Sequence, residues 1–241
     1  MIDYGDRARL GVIVPSGNPV AEPELRAMLP PGIGMVVTRL PLRGSSEAEL
    51  LAMLEALEPA SRLLADARPA AIAFHCTAVS TFAPAMAGSI RARMEAAAGG
   101  IAALATADAI LAALAALGAK RLLLVTPYIA AVHAREIAFF EAHGLAVTGG
   151  DNLGIDTNAE MSHLAPADIA AQVRLAAACH PGAEACLISC TAIRSAAVIA
   201  ALEAELGMPV VTSNQALAWY ALRALGQTDR VPGFGRVFEA A

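Results

Sequence analysis

The chain has 241 residues, of which 57% are hydrophobic and 16% charged, with a formal net charge of −5 at pH 7. This length fits one large domain or two small ones of similar build, and the apolar content suits a packed core rather than a disordered chain. The acidic balance argues against nucleic acid or an anionic membrane surface as partner, while a small anionic substrate stays open because backbone N–H groups and hydroxyls can bind carboxylates.

The first six residues lack a basic stretch followed by an apolar one, so no secretory signal is expected. The most apolar window, residues 101–117, is interrupted by Thr106 and Asp108 and falls short of the ~20 residues a membrane span needs. The expected setting is therefore cytoplasmic, with no membrane partner. In that reducing compartment the four cysteines are not expected to form disulfides, and they lack CxxC spacing. No histidine pair has metal spacing, so no metal is expected. Neither phosphate-binding glycine motif occurs in its strand–turn–helix context, so no nucleotide cofactor is expected.

In chain order, residues 9–15 form a continuous apolar run of the kind buried on both faces of a parallel sheet. The turn Ser16-Gly17-Asn18-Pro19 follows, then a helix over 22–29 and a strand over 34–40. Residues 46–67 are amphipathic, with Leu50, Leu51, Leu54, Leu57, Leu63 and Leu64 at helical spacing. They lead to the strand Ala71-Ile72-Ala73-Phe74-His75-Cys76-Thr77-Ala78. Helices are expected over 79–94 and 107–117, the latter closed by Gly118. The layout then restarts. Residues 121–127 repeat the pattern of 9–15 down to the closing proline, and a helix over 128–141 and a strand over 144–150 follow. A helix over 166–178 precedes the strand Ala185-Cys186-Leu187-Ile188-Ser189-Cys190-Thr191-Ala192.

Two Cys-Thr-Ala strand ends thus recur, each expected to enter a helix. Pro15 lies 61 positions before Cys76, and Pro127 lies 63 before Cys190. The segments 106–118 and 214–226 also correspond, each closing on Leu-Gly. The expected fold is α/β: two pseudo-symmetric Rossmann-like lobes with parallel sheets and a cleft between them. Residues 1–118 would form the first lobe and 119–213 the second, with 214–241 packing back on the first.

A thiolate is a strong nucleophile and a thiol a usable proton donor. At the start of a helix the pKa of Cys76 and Cys190 is expected to fall. Two thiols facing one ligand allow two chemistries. One thiol can take a proton from one face of a carbon while the other donates to the opposite face. Alternatively, one can add to a polarised C=C while the other acts as acid. Cys179 and Cys186, in helical and apolar settings, are expected to pack as small hydrophobes. Ser16 and Asn18 after the first strand, and Tyr128 at the same point after its duplicate, are candidate ligand contacts. Thr77 and Thr191 offer hydroxyls and N–H groups to carboxylate oxygens, although turn or cap use competes at Asn18 and both threonines. His75 points to the other side of its strand and is expected to pack.

The paired Cys-Thr motifs resemble the aspartate/glutamate racemase superfamily, which works without cofactors. Val14-Pro15-Ser16-Gly17-Asn18, Thr126-Pro127-Tyr128, residues 212–219 (Thr-Ser-Asn-Gln-Ala-Leu-Ala-Trp) and residues 233–238 (Gly-Phe-Gly-Arg-Val-Phe) narrow the resemblance. They are similar to the branch that holds maleate cis–trans isomerase and arylmalonate decarboxylase. The decarboxylase has glycine where this chain has Cys76, so the resemblance implies an isomerase of maleate-like dicarboxylates. It casts Cys76 as the nucleophile, giving a succinyl thioether, and Cys190 as acid and base. Carboxylate contacts would come from Asn18, Tyr128 and Asn158, with Thr77, Ala78, Thr191 and Ala192 as further donors. The chain departs from the pattern at Gly17-Asn18-Pro19 and at Ala192-Ile193-Arg194, where amino-acid racemases follow the second Cys-Thr with histidine. A racemase or decarboxylase acting through the same cysteines is the nearest alternative. A cytoplasmic small-carboxylate binding protein is another, and a homodimer or higher homo-oligomer stays open.

Overall fold

Two parallel four-stranded sheets carry the chain in the computed structural model, which describes residues 3–240. The first is built from β1 (Ala8–Pro15), β2 (Ile33–Leu40), β3 (Ala71–Phe74) and β4 (Ala102–Ala105), in the order β2-β1-β3-β4. The second uses β5 (Arg121–Tyr128), β6 (Ala146–Ile155), β7 (Ala185–Ile188) and β8 (Val210–Thr212), in the order β6-β5-β7-β8. The order is the same in both, and every pairing is parallel. The expected α/β class and repeated lobe are present. Strands β4 and β8 are too short, at four and three residues, to stand out from the helices that follow them.

Side-chain alternation divides each sheet between two cores. Ile13, Ile72, Phe74, Leu123, Val125 and Ile188 face one. Leu10, Val12, Val14, Leu122, Leu124 and Leu187 face the other. The helices cover both faces, which is why the strands read as unbroken apolar runs. They are α1 (Ala21–Met28), α2 (Glu47–Ala52), α3 (Leu57–Ala65), α4 (Thr77–Ser80), α5 (Met86–Ala97), α6 (Thr106–Ala116), α7 (Ala130–Ala142), α8 (Asn158–Met161), α9 (Pro166–Cys179), α10 (Ile199–Leu206) and α11 (Ser213–Ala224). Among the described residues, none of these helices is long and apolar enough to cross a membrane.

Several expected elements are interrupted. The helix expected over 79–94 is two helices, because Pro84 lies between them and can neither donate to nor fit within a continuous turn. The stretch 46–67 is α2 and α3 joined by a 3-10 turn, Met53–Ala56. Strand β6 runs past Gly150 to Ile155 with irregular register against β5. A Cβ at Gly150 would sit 2.1 Å from the Leu124 carbonyl oxygen, so only glycine allows that approach.

The halves join through α6 and α11, with α11 also packed on α1. Ala107, Ala109, Ala113, Ala216, Ala218 and Ala221 are fully buried there, and their small side chains let the helices approach closely. In each sheet the chain leaves β1 or β5 toward one edge and returns on the other side. The crevice this opens at the strand carboxyl ends is where ligands bind in open α/β folds. The strand ends and loops at the two crevices carry Ser16–Asn18 and Cys76 in the first lobe, and Tyr128, the last residue of β5, and Cys190 in the second.

Candidate active site

The two cysteine strands end alike. The His75 N–H donates to the Ile13 carbonyl at 2.8 Å, and the Ser189 N–H donates to the Val125 carbonyl at 2.9 Å. Each bond is the last rung before the cysteine, so both sulfurs leave their sheets at matching points. Cys76 is 4% exposed and Cys190 2%, and a charge on Cys190 bears on Cys76. Tyr128, also buried, feels both sulfurs.

Their local settings differ. Cys76 is the residue before α4, and the N–H groups of Val79 and Ala78 face its sulfur. After Cys190 no helix begins, contrary to expectation: the chain turns and reaches α10 through a 3-10 segment, Ala196–Val198. A single N–H, from Ala192, donates to the Cys190 sulfur at 3.2 Å. The Tyr128 hydroxyl also favours its thiolate, and the Met161 sulfur lies 3.8 Å away.

Ser213 ties the two motifs together. Its oxygen accepts from the Thr77 hydroxyl at 2.9 Å and from the Cys190 N–H at 3.1 Å. Thr212 and Gln215 cap α11 reciprocally and so fix Ser213 and Asn214 in its first turn. The Asn214 amide donates to Glu24 at 2.7 Å and to the Thr191 carbonyl at 3.3 Å, and its oxygen is 2.8 Å from His75 Nε2. Burial holds His75 down to about 4, so the ring is neutral near pH 7. Because the Asn214 oxygen can only accept, Nε2 carries the hydrogen and Nδ1 faces the Thr106 hydroxyl at 2.9 Å. His75 packs, as expected, within this buried network.

Asn18 has a double role. Its oxygen accepts from the N–H groups of Val20 and Ala21, at 2.9 and 3.0 Å, and so caps α1. Its amide donates to the Thr191 hydroxyl at 3.0 Å, which leaves one amide hydrogen for a ligand. Asn158 opens α8 in the second lobe, and its N–H donates to the Arg43 carbonyl of the first at 3.0 Å. A Cβ on Gly17 would lie 3.3 Å from that of Asn158, so the lobes approach closely here. Thr77, Ala78, Thr191 and Ala192 are buried beside the sulfurs. Ser16 is exposed and accepts from the Leu42 N–H at 3.1 Å.

The arylmalonate decarboxylase family model matches residues 10–238. The chain belongs to that family. It is 31% identical over 239 residues to the maleate isomerase of Nocardia farcinica, covering 95% of this chain and 94% of that one. It is 29% identical over 231 residues to the arylmalonate decarboxylase of Bordetella bronchiseptica, covering 95% and 96%. A solved mutant of the Nocardia farcinica maleate cis–trans isomerase, with a covalently bound succinylcysteine intermediate, superposes with a TM-score of 0.90 at 26% identity. The alignment covers 96% of this chain and 98% of that one.

In this member of the arylmalonate decarboxylase family the expected lowering of the thiol pKa does not occur. Burial pushes Cys76 up to about 12, and the N–H groups of Val79 and Ala78 recover only part of that shift. Burial likewise takes Cys190 to about 12 against the pull of Tyr128 and Ala192. Desolvation outweighs donors of this size, so both thiols are protonated at rest. Cys186 packs in the core as expected, whereas Cys179 is exposed, because it ends the outer face of α9. Among the described residues no three His, Cys, Asp or Glu side chains converge as a metal site needs.

Three residues escaped the sequence reading. Ser213 and Asn214 lie in a motif that carried the family resemblance, and residues from 214 on are expected against the first lobe, but nothing local reveals that this pair joins the two cysteine loops. Glu136, fully buried and with its charge felt at both sulfurs, did leave a signal. It falls in the stripe Val132, Glu136, Phe139, Phe140, whose i, i+4, i+7, i+8 spacing marks the inward face of α7.

Proposed function

We propose that this enzyme is a cofactor-independent cis–trans isomerase of maleate-like dicarboxylates. The observation that carries the reading is the pair of buried cysteines, each at a matching strand end, with Ser213 holding Thr77 of one loop to the Cys190 N–H of the other and Tyr128 bearing on both sulfurs. One diacid lies between the sulfurs. The free amide hydrogen of Asn18, the Tyr128 hydroxyl, the Asn158 amide and the N–H groups of Thr77, Ala78, Thr191 and Ala192 bind its carboxylates.

The Cys76 thiolate adds to one alkene carbon. The electron pair of the double bond moves onto the neighbouring carboxylate as an enediolate, and Cys190 donates its proton to the adjoining carbon. The central bond is now single and rotates. Cys190 then takes the proton back, the C–S bond breaks, and fumarate leaves. Aligned donors at the enediolate are each worth about 3 kcal/mol in a buried site. The succinylcysteine in the Nocardia farcinica relative supports an intermediate of this class. A cysteine at position 76, where the decarboxylase branch carries glycine, favours isomerisation over decarboxylation.

The test is turnover of maleate by the purified protein, followed as fumarate formed. The reading predicts fumarate with no decarboxylation of aryl malonates and no racemisation of amino acids. Carbon dioxide released from an aryl malonate, with maleate untouched, would overturn it.

A further inference from the structure

The addition step needs a proton removed from a thiol that is protonated at rest, and neither Tyr128 nor the backbone donors can accept one. Glu136 can. It projects from α7 into the core with no exposed surface, and no well-aligned donor meets either carboxylate oxygen. Two hydroxyls bear on it: Ser189, next to Cys190, and Thr81, which closes the short helix after Cys76. The Thr81 hydroxyl donates to the Thr77 carbonyl at 2.8 Å, and that of Ser189 has no partner. Glu136 therefore stands between the two cysteine loops, and its charge is felt at Cys76, Cys190 and Tyr128. Its neighbour Arg135 turns away, over the Phe82 ring and toward Glu47 at 3.8 Å. A buried carboxylate with no cation beside it is costly to the fold.

We propose that Glu136 holds the proton that Cys76 gives up: the Thr81 hydroxyl turns from the Thr77 carbonyl, takes the thiol proton and passes its own to the Glu136 carboxylate, leaving Cys76 as thiolate and Glu136 as a neutral acid until product leaves. This rests on Cys76 being the nucleophile. The pair keeps its total charge, so no net charge is created in the core. Glu136 contacts neither sulfur at hydrogen-bond distance and acts as a positioning residue. Burial raises its carboxyl to about 8, so the ionised form that can accept the proton grows as pH rises toward that value. Cys76, Cys190 and Tyr128, the other ionisable groups facing it, titrate higher.

The test is the rate at which iodoacetamide alkylates the Cys76 peptide, read by mass against pH in wild type, Glu136→Gln and Glu136→Asp. Wild type should show an inflection near pH 8. Glu136→Gln should lose it, with at least a tenfold slower rate at pH 8, and thermal unfolding should show it no less stable. Glu136→Asp should keep the inflection at reduced rate. An unchanged or faster Cys76 in a folded Glu136→Gln protein would overturn the proposal, since removing a mere charge would make the thiolate easier to form. If Glu136→Gln does not fold, an unaltered profile in Glu136→Asp together with Thr81→Val overturns it. Alkylation needs no substrate, so this result stands apart from whether maleate is turned over.

Discussion

The two Cys-Thr-Ala motifs share a strand, a terminal ladder bond, an N–H two residues on that faces the sulfur, and the same degree of burial, yet their surroundings are unalike. Cys76 is followed by a helix and has only backbone donors. Cys190 is followed by a turn and has, besides one N–H at 3.2 Å, a tyrosine hydroxyl to stabilise its thiolate. The repeated strand order supplies two sulfurs at matching strand ends, and their local partners differ. In the proposed mechanism the Tyr128 hydroxyl would suit Cys190 to repeated proton exchange. In the same mechanism the bare setting of Cys76 would leave its thiolate less stabilised and so more ready to attack carbon.

Substitutions sharpen that contrast. Cys76→Ser should abolish maleate turnover, measured as fumarate formation, because a hydroxyl there is a far poorer nucleophile. Cys190→Ser should cost on the order of 10²–10⁴-fold in kcat, the usual worth of a positioned acid–base group, while a succinyl adduct still accumulates. If the two variants behave alike, the assigned division of labour fails. Tyr128→Phe should lower kcat by about 10²-fold, the cost of one donor at a developing charge, and should slow proton exchange more than addition. Equal slowing of both steps would contradict its assignment to Cys190.

The clasp between the motifs predicts effects on stability. Asn214→Ala breaks bonds to Glu24, His75 and Thr191 together, and should cost about 1–3 kcal/mol of unfolding free energy. His75 is held near 4 in the fold against about 6.5 in an unfolded chain. The unfolded state therefore binds the extra proton first, so stability present above pH 6.5 is lost as pH falls toward 4. His75→Gln should flatten that slope in chemical denaturation. The smallest effect concerns labelling by a thiol reagent at pH 7.5. Exposed Cys179 should react well before Cys76, Cys186 and Cys190.

The repeated order of landmarks, from Pro15 to Cys76 and from Pro127 to Cys190, made the two lobes and the sulfur positions legible in the sequence. That legibility has a physical cause. Doubly covered parallel strands are uniformly apolar, and the residue leaving each strand end is chemically marked. The short strands β4 and β8 were hidden, because three or four buried residues ahead of an alanine-rich helix carry no period of their own. The thiol pKa direction was misread because helix position is local, whereas desolvation depends on everything packed around the sulfur. Ser213 and Asn214 were invisible as site residues for the same reason. Their partners Thr77, Cys190, Glu24 and His75 are distant in sequence, and only the packing of α11 on α1 and α6 brings them together.

Peptide mapping of Cys190→Ser protein after incubation with maleate tests the core of this mechanism. A mass gain of one maleic acid on the peptide holding Cys76, and on no other, is the expected result. The same gain on another cysteine, or turnover of maleate with no adduct when Cys76 is replaced, would contradict it.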